Sequence, residues 1–175
     1  MHVTSPLGTF INGEFACRYA NHITDPLHAK APSFPVYARY PDVECSPGTF
    51  VLWDKGYADG LPDQPFLLAA VLLVRIVSMP GPNRLCVDLG HKAVAAENPL
   101  ERRIYFLNAP DLKPIGQSEE HWVLEAPSGY LWNVGDVLYG LPIHICPTVA
   151  LHAYLAVVED GTYVDRWKVA SRDRL

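Results

Sequence analysis

His144 and Cys146 stand two positions apart in the segment Leu141-Pro142-Ile143-His144-Ile145-Cys146-Pro147-Thr148-Val149. On an extended strand, residues i and i+2 share a face and lie about 7 Å apart along the chain, close enough for both side chains to converge on one ion. Imidazole nitrogen and thiolate sulfur are donors that Zn²⁺ takes, at about 2.0 and 2.3 Å. Pro142 and Pro147 stiffen the stretch on either side of the pair. A structural zinc site closes with four ligands, and only these two are visible. An ion here would therefore keep open positions and act as a Lewis acid on a bound molecule. The plainer reading of the pair is a half-buried histidine and a buried thiol in an ordinary strand.

Other residues invite chemistry more weakly. Asp88-Leu89-Gly90-His91-Lys92 closes a strand, and as a plain polar turn it would have Gly90 at positive φ. Glu119-Glu120-His121 offers a carboxylate, Glu120, that could orient His144 from behind, or is a solvated loop ahead of a strand. His152 lies an even number of positions from His144, but Pro147 interrupts the register, which puts His152 on the surface. Cys86 reads as a buried thiol in an apolar strand, and Cys45 as a residue before a turn. Trp53, Trp122, Trp132 and Trp167 read as core or interface.

The elements that must position these groups are mostly strands. Strand character marks Thr49 to Trp53, Phe66 to Met79, Arg84 to Leu89, Arg103 to Leu107, His121 to Glu125, Val137 to Leu141, Val149 to Val158 and Thr162 to Ala170. Pro80-Gly81-Pro82-Asn83 joins one hairpin, and Glu159-Asp160-Gly161 joins the last two strands through a strong tight-turn dipeptide. Ala93 to Glu97 has the makings of one helical turn, stopped by Asn98-Pro99. The expectation is a mainly β fold, an antiparallel barrel or sandwich of about eight strands. Residues 1–46 carry five prolines and no sustained period, which predicts extended segments and loops rather than a separate domain.

The chain has 175 residues, 49% apolar and 19% charged, enough for one core. Sixteen prolines argue for short strands and sharp turns. A formal net charge of -5 argues against a phosphate-binding surface, so nucleic acid is excluded as the expected partner. The longest apolar run, Phe66 to Val74, is too short for a membrane span, which takes roughly 20 residues. The first residues lack a basic start and an apolar stretch, and the cysteines lack CxxC spacing. Reduced thiols and a cytoplasmic location are the expectation.

Four ordered segments together resemble the C-terminal part of the D-threonine aldolase and D-serine dehydratase family, pyridoxal phosphate enzymes of the alanine racemase fold type. They are ECSPGTFVLWDKGYA, VDLGHKAVAAE, SEEHWVL and LPIHICPTVALHAYLAVVEDGTYVDRWKVASRD, and the likeness runs over roughly residues 32–175. It implies that residues 47–175 form a metal-binding β domain like the C-terminal domain of alanine racemase-type enzymes. It implies that His144 and Cys146 occupy the metal-ligand positions, with cysteine pointing to Zn²⁺ rather than a harder divalent metal. It also places Asp88, His91 and Lys92 near the substrate mouth of a whole enzyme.

The family's (β/α)₈ barrel, which carries the cofactor lysine, takes about 250 residues and has no counterpart here. Lys30, Lys55, Lys92, Lys113 and Lys168 do not sit in the cofactor motif, and Ala29 to Val36 lacks the glycines of the phosphate loop. The expectation is a fragment, a truncated product or one part of a split enzyme. Its partner would be a barrel in cis or trans, or a second copy in a homodimer, and alone it would be inactive. A stand-alone, non-catalytic β binding module is the alternative; a self-sufficient metal hydrolase is a weaker third.

Overall fold

The computed structural model describes residues 49–173, with Arg39 and three strands ahead of them. Those strands are β1 (Phe15–Tyr19), β2 (Leu27–Ala29) and β3 (Val43–Glu44), an antiparallel sheet with β1 in the centre. Cys45 and the prolines before Pro62 lie outside the described residues.

The main body is one curled antiparallel sheet. Its strands are β4 (Leu72–Gly81), β5 (Arg84–Val87), β6 (Ile104–Phe106), β7 (Lys113–Gln117), β8 (Trp122–Glu125) and β9 (Val137–Pro142). Their order across the sheet is β6-β9-β4-β5-β8-β7. The period-2 alternation of the sequence is realised in each of the central strands. Val74 and Ile76 of β4, Leu85 and Val87 of β5, Trp122 and Leu124 of β8 and Leu138 of β9 all face one buried cluster with Phe106. Fully burying such side chains contributes about 1.5–3 kcal/mol each. Gly140 faces inward too, and a Cβ there would come 2.1 Å from Ile104 Cδ1, so the absent side chain lets β6 close onto β9.

Two further strands, β10 (Tyr154–Glu159) and β11 (Thr162–Lys168), form a separate hairpin. Asp160 at φ 48° and Gly161 at φ 76° give its turn two successive left-handed residues, as the Asp-Gly dipeptide predicts. Gly161→Ala should cost about 1–2 kcal/mol. Hydrogen exchange of the β10–β11 amides should then speed up roughly 5–30-fold; unchanged exchange would contradict the turn's role.

Several expectations are corrected. Thr49 to Trp53 is no strand: Thr49–Val51 is a 3₁₀ turn, and Trp53 takes φ 50° while buried against Tyr57 and Phe66. Asp54 then caps a short helix, α1 (Lys55–Gly60), by accepting from Tyr57 N at 2.8 Å. The apolar run from Phe66 becomes a strand only at Leu72; ahead of it Ala69 N donates to the Leu52 carbonyl at 2.8 Å, outside the sheet. Val149 does not begin a strand, since Ile145–Leu151 is a helix, α2. Pro147 sits in its first turn, where a missing N–H costs nothing. Ala93 to Glu97 is not helical, and the 3₁₀ turn falls later, at Leu100–Arg102. β7 carries no strand pattern in the sequence because Pro114 and Gly116 disguise it; both are tolerated because β7 is an edge strand.

Candidate metal centre

β9 ends at Pro142 and α2 begins at Ile145, so the His-x-Cys segment is a strand-to-helix corner. His144 is the N-cap residue, with extended φ −132° and ψ 105°, and its side chain makes no capping bond. Cys146 lies in the first helical turn. The shared strand face expected from the i, i+2 spacing is therefore absent. The two side chains still influence each other across the corner: each shifts the other's proton affinity, the imidazole upward and the thiol downward.

Each of four consecutive residues is held by a contact from elsewhere. The Ile143 carbonyl accepts from Gly56 N at 3.2 Å. His144 Nδ1 lies 2.5 Å from Glu97 Oε1. Ile145 N donates to Asp54 Oδ2 at 3.0 Å. Cys146 Sγ lies 3.5 Å from Thr49 Oγ1. Thr148, buried one turn on, donates to the His144 carbonyl at 2.7 Å and accepts from Ala95 N at 3.1 Å.

The charges follow from these contacts. The hydrogen bond to Cys146, helped by Glu97, outweighs partial burial and lifts the His144 pKa to about 9. Burial pushes the Cys146 thiol up, but the hydrogen bonds from His144 and Thr49 more than reverse this and hold it below its ordinary value. Asp54 is pushed up by burial and partly restored by the Ile145 and Tyr57 N–H groups. The corner thus favours negative charge on the Cys146 sulfur and positive charge on the His144 imidazole.

Once the imidazole gives up its proton, the two groups are donors that a divalent metal takes. On a tetrahedral Zn²⁺, bond lengths of about 2.0 and 2.3 Å set nitrogen and sulfur donors roughly 3.5 Å apart, which is hydrogen-bond range for sulfur. Glu97 engages Nδ1, leaving Nε2 as the nitrogen for an ion, the usual carboxylate–histidine arrangement at metal sites. Among the described residues, no three His, Cys, Asp or Glu side chains converge on a metal position.

The other candidates lie elsewhere. Glu120 pairs with Lys92, Oε1 to Nζ 2.8 Å, and Glu119 joins them at 3.2 Å. The carboxylate that orients His144 is Glu97, not Glu120. His91 and His121 are exposed on the same polar cluster, tied through backbone bonds to Ser118. Asp88 accepts from Arg75 N at 2.6 Å and so joins β4 to the end of β5. Gly90 does not take positive φ; it is a close approach, where a Cβ would meet Glu119 O at 1.9 Å. His152 is half-buried rather than a surface residue, its Nε2 held 2.9 Å from the Ala93 carbonyl. Cys86 faces outward from β5 and is only partly buried. Trp53 and Trp122 are core, Trp132 packs against it, and Trp167 is exposed.

Asp54, Thr49 and Glu97 also reach the corner, and the sequence alone does not point to them as site residues. Asp54 carried a signal, an N-capping residue type at the head of Lys-Gly-Tyr-Ala. Thr49 and Glu97 carried none, since they reach the corner only through tertiary contact.

No helix among the described residues is long and apolar enough to cross a membrane. Residues 69–158 match the family model described as "Putative serine dehydratase domain". A D-threonine aldolase from Arthrobacter sp is 30% identical over 132 residues, covering 74% of this chain and 34% of that protein. An uncharacterized protein of Mycobacterium tuberculosis is 32% identical over 118 residues, covering 64% of this chain and 86% of that protein. The crystal structure of D-threonine aldolase from Filomicrobium marinum superposes with a TM-score of 0.63 at 25% identity, over 73% of this chain and 35% of that one. The chain thus spans about a third of the length of the aldolases it matches.

Proposed function

Since this chain belongs to the serine dehydratase domain family, we propose that it is the metal-binding β domain of a D-amino-acid lyase, inactive without a pyridoxal phosphate-carrying barrel in cis or trans. The observation that carries the reading is the strand-to-helix corner that brings His144 and Cys146 together, with Glu97 on the imidazole and Thr49 on the sulfur. Zn²⁺, or another divalent ion, bound there would polarise a substrate hydroxyl as a Lewis acid. The chain's own work is positional. Glu97 fixes the ring and Thr49 holds the sulfur.

We expect no Schiff-base cofactor on this chain. Lys55 is bound to Asp59 beneath the Tyr105 ring, and Lys92 and Lys168 are each paired with surface carboxylates. Borohydride reduction with added pyridoxal phosphate should trap no stoichiometric pyridoxyl-lysine; a stoichiometric adduct on one lysine would overturn this. A covered surface is supported by the outer face of the sheet, where Leu73 of β4 opposes Tyr139 of β9 and both are exposed. We place the barrel, or a second copy of the chain, against such apolar surface.

The deciding measurement is zinc content by atomic absorption of the wild type, His144→Ala and Cys86→Ser. The wild type and Cys86→Ser should carry zinc, and His144→Ala should not. Equal zinc in His144→Ala would move the site elsewhere. A second reading, a stand-alone β module without catalysis, is supported by the mycobacterial relative, 86% of which aligns with this chain. A wild type that binds no divalent metal would favour it.

A further inference from the structure

The stretch 49–56 touches the corner at Cys146, Ile145 and Ile143, through Thr49, Asp54 and Gly56. It thus grips the chain on both sides of His144. Asp54 is the centre of that grip, and its side chain is only 1% exposed. One carboxylate oxygen takes Tyr57 N at 2.8 Å, which is all that capping α1 requires. A serine or asparagine would serve for that alone. The other oxygen takes Ile145 N at 3.0 Å, and Ile145 is the residue between His144 and Cys146. Burying a carboxylate is costly unless both oxygens are used. Here both are, one on each of two elements that lie far apart in the chain. Gly56 completes the fit: a Cβ there would stand 2.5 Å from the Ile143 carbonyl oxygen, so any larger residue must push the corner away.

We propose that Asp54 is a positioning residue for the His144–Cys146 pair, its carboxylate tying the peptide between the two donors to the head of α1 and so fixing their separation before any ion arrives. The proposal rests on the ligand reading of the pair. Asparagine can accept only one of the two N–H groups well, because its amide nitrogen would face the other. Asp54→Asn should therefore keep the fold, by far-ultraviolet circular dichroism, while raising the zinc Kd about 10–100-fold. It should also alter the position and intensity of the visible absorption of bound Co²⁺, which a merely structural role would not change. A readout without metal is the nuclear Overhauser contact between the His144 ring and the Cys146 β protons, strong in the wild type and weakened in the variant. Gly56→Ala displaces the corner from its other side and should move the same three readouts; it decides the matter if Asp54→Asn fails to fold. Unchanged Kd, cobalt spectrum and Overhauser contact in both variants would overturn the proposal. If the wild type takes up neither zinc nor cobalt, the ligand reading falls, and the Overhauser comparison alone still decides for or against Asp54.

Discussion

Cys146→Ser should weaken zinc binding by about two orders of magnitude, whereas Cys86→Ser should leave it unchanged. A structural four-ligand zinc site contributes roughly 10–16 kcal/mol, or about 3 kcal/mol per ligand, and a hydroxyl recovers little of that at neutral pH. Since 1.4 kcal/mol is tenfold, the loss is about 100-fold. The pH dependence carries a second signature. In the wild type the proton on His144, with a pKa of about 9, competes with the ion, so affinity should climb as pH rises toward 9. The hydrogen bond to Cys146 is the largest cause of that raised value. In Cys146→Ser the support is gone, and the rise in affinity should shift to lower pH. Competition with a chromophoric chelator across this range measures both effects. A wild-type affinity that is flat between neutral pH and 9 would contradict the pairing. Folding stability of the metal-free chain should run the other way. A histidine raised from 6.5 to about 9 contributes fully below 6.5 and loses that contribution as pH rises through about 9.

Gly90→Ala should destabilise the domain by about 3 kcal/mol, the upper end of what overpacking does. The new Cβ would stand 1.9 Å from Glu119 O, 2.1 Å from its carbonyl carbon and 2.2 Å from Glu120 N. All three are backbone atoms, so no side chain can rotate out of the way. The contact also locks the turn after β5 to the loop before β8, where His91 N and Lys92 N donate to Ser118 O and Glu119 O. For a chain of this size the thermal midpoint should fall roughly 10 °C. Gly140→Ala is the useful contrast, because its Cβ meets the tip of Ile104, which can repack. A Gly90→Ala midpoint within a degree or two of wild type would show that the two loops separate freely.

The strands with clean alternation were legible in the sequence: the Val74/Ile76, Leu85/Val87 and Trp122/Leu124 pairs each point where a period of two puts them. The Asp160-Gly161 turn was legible for the same local reason. What could not be read was anything decided at a distance. Ile145–Leu151 looks like strand because isoleucine, threonine and valine favour it, yet the corner contacts and Pro147 in the first turn make it a helix. His144 and Cys146 were visible as residue types, but their assumed geometry was that of a strand. Glu97 was masked by Asn98-Pro99 beside it, which advertises only a stop.

The grip on the corner also has a temporal side. Thr49 and Cys146 are 97 positions apart, and Asp54 and Ile145 are 91 apart. Contacts of such separation form late, because a long loop must close before they give any return. During synthesis from the N-terminus, Asp54 and Thr49 emerge well before the residues they hold. The corner that carries His144 and Cys146 cannot be gripped on the ribosome until the last third of the domain has been made. On the proposed reading, an ion would therefore meet a held donor pair only after the sheet has closed, and chelation should strip it while leaving the β fold standing.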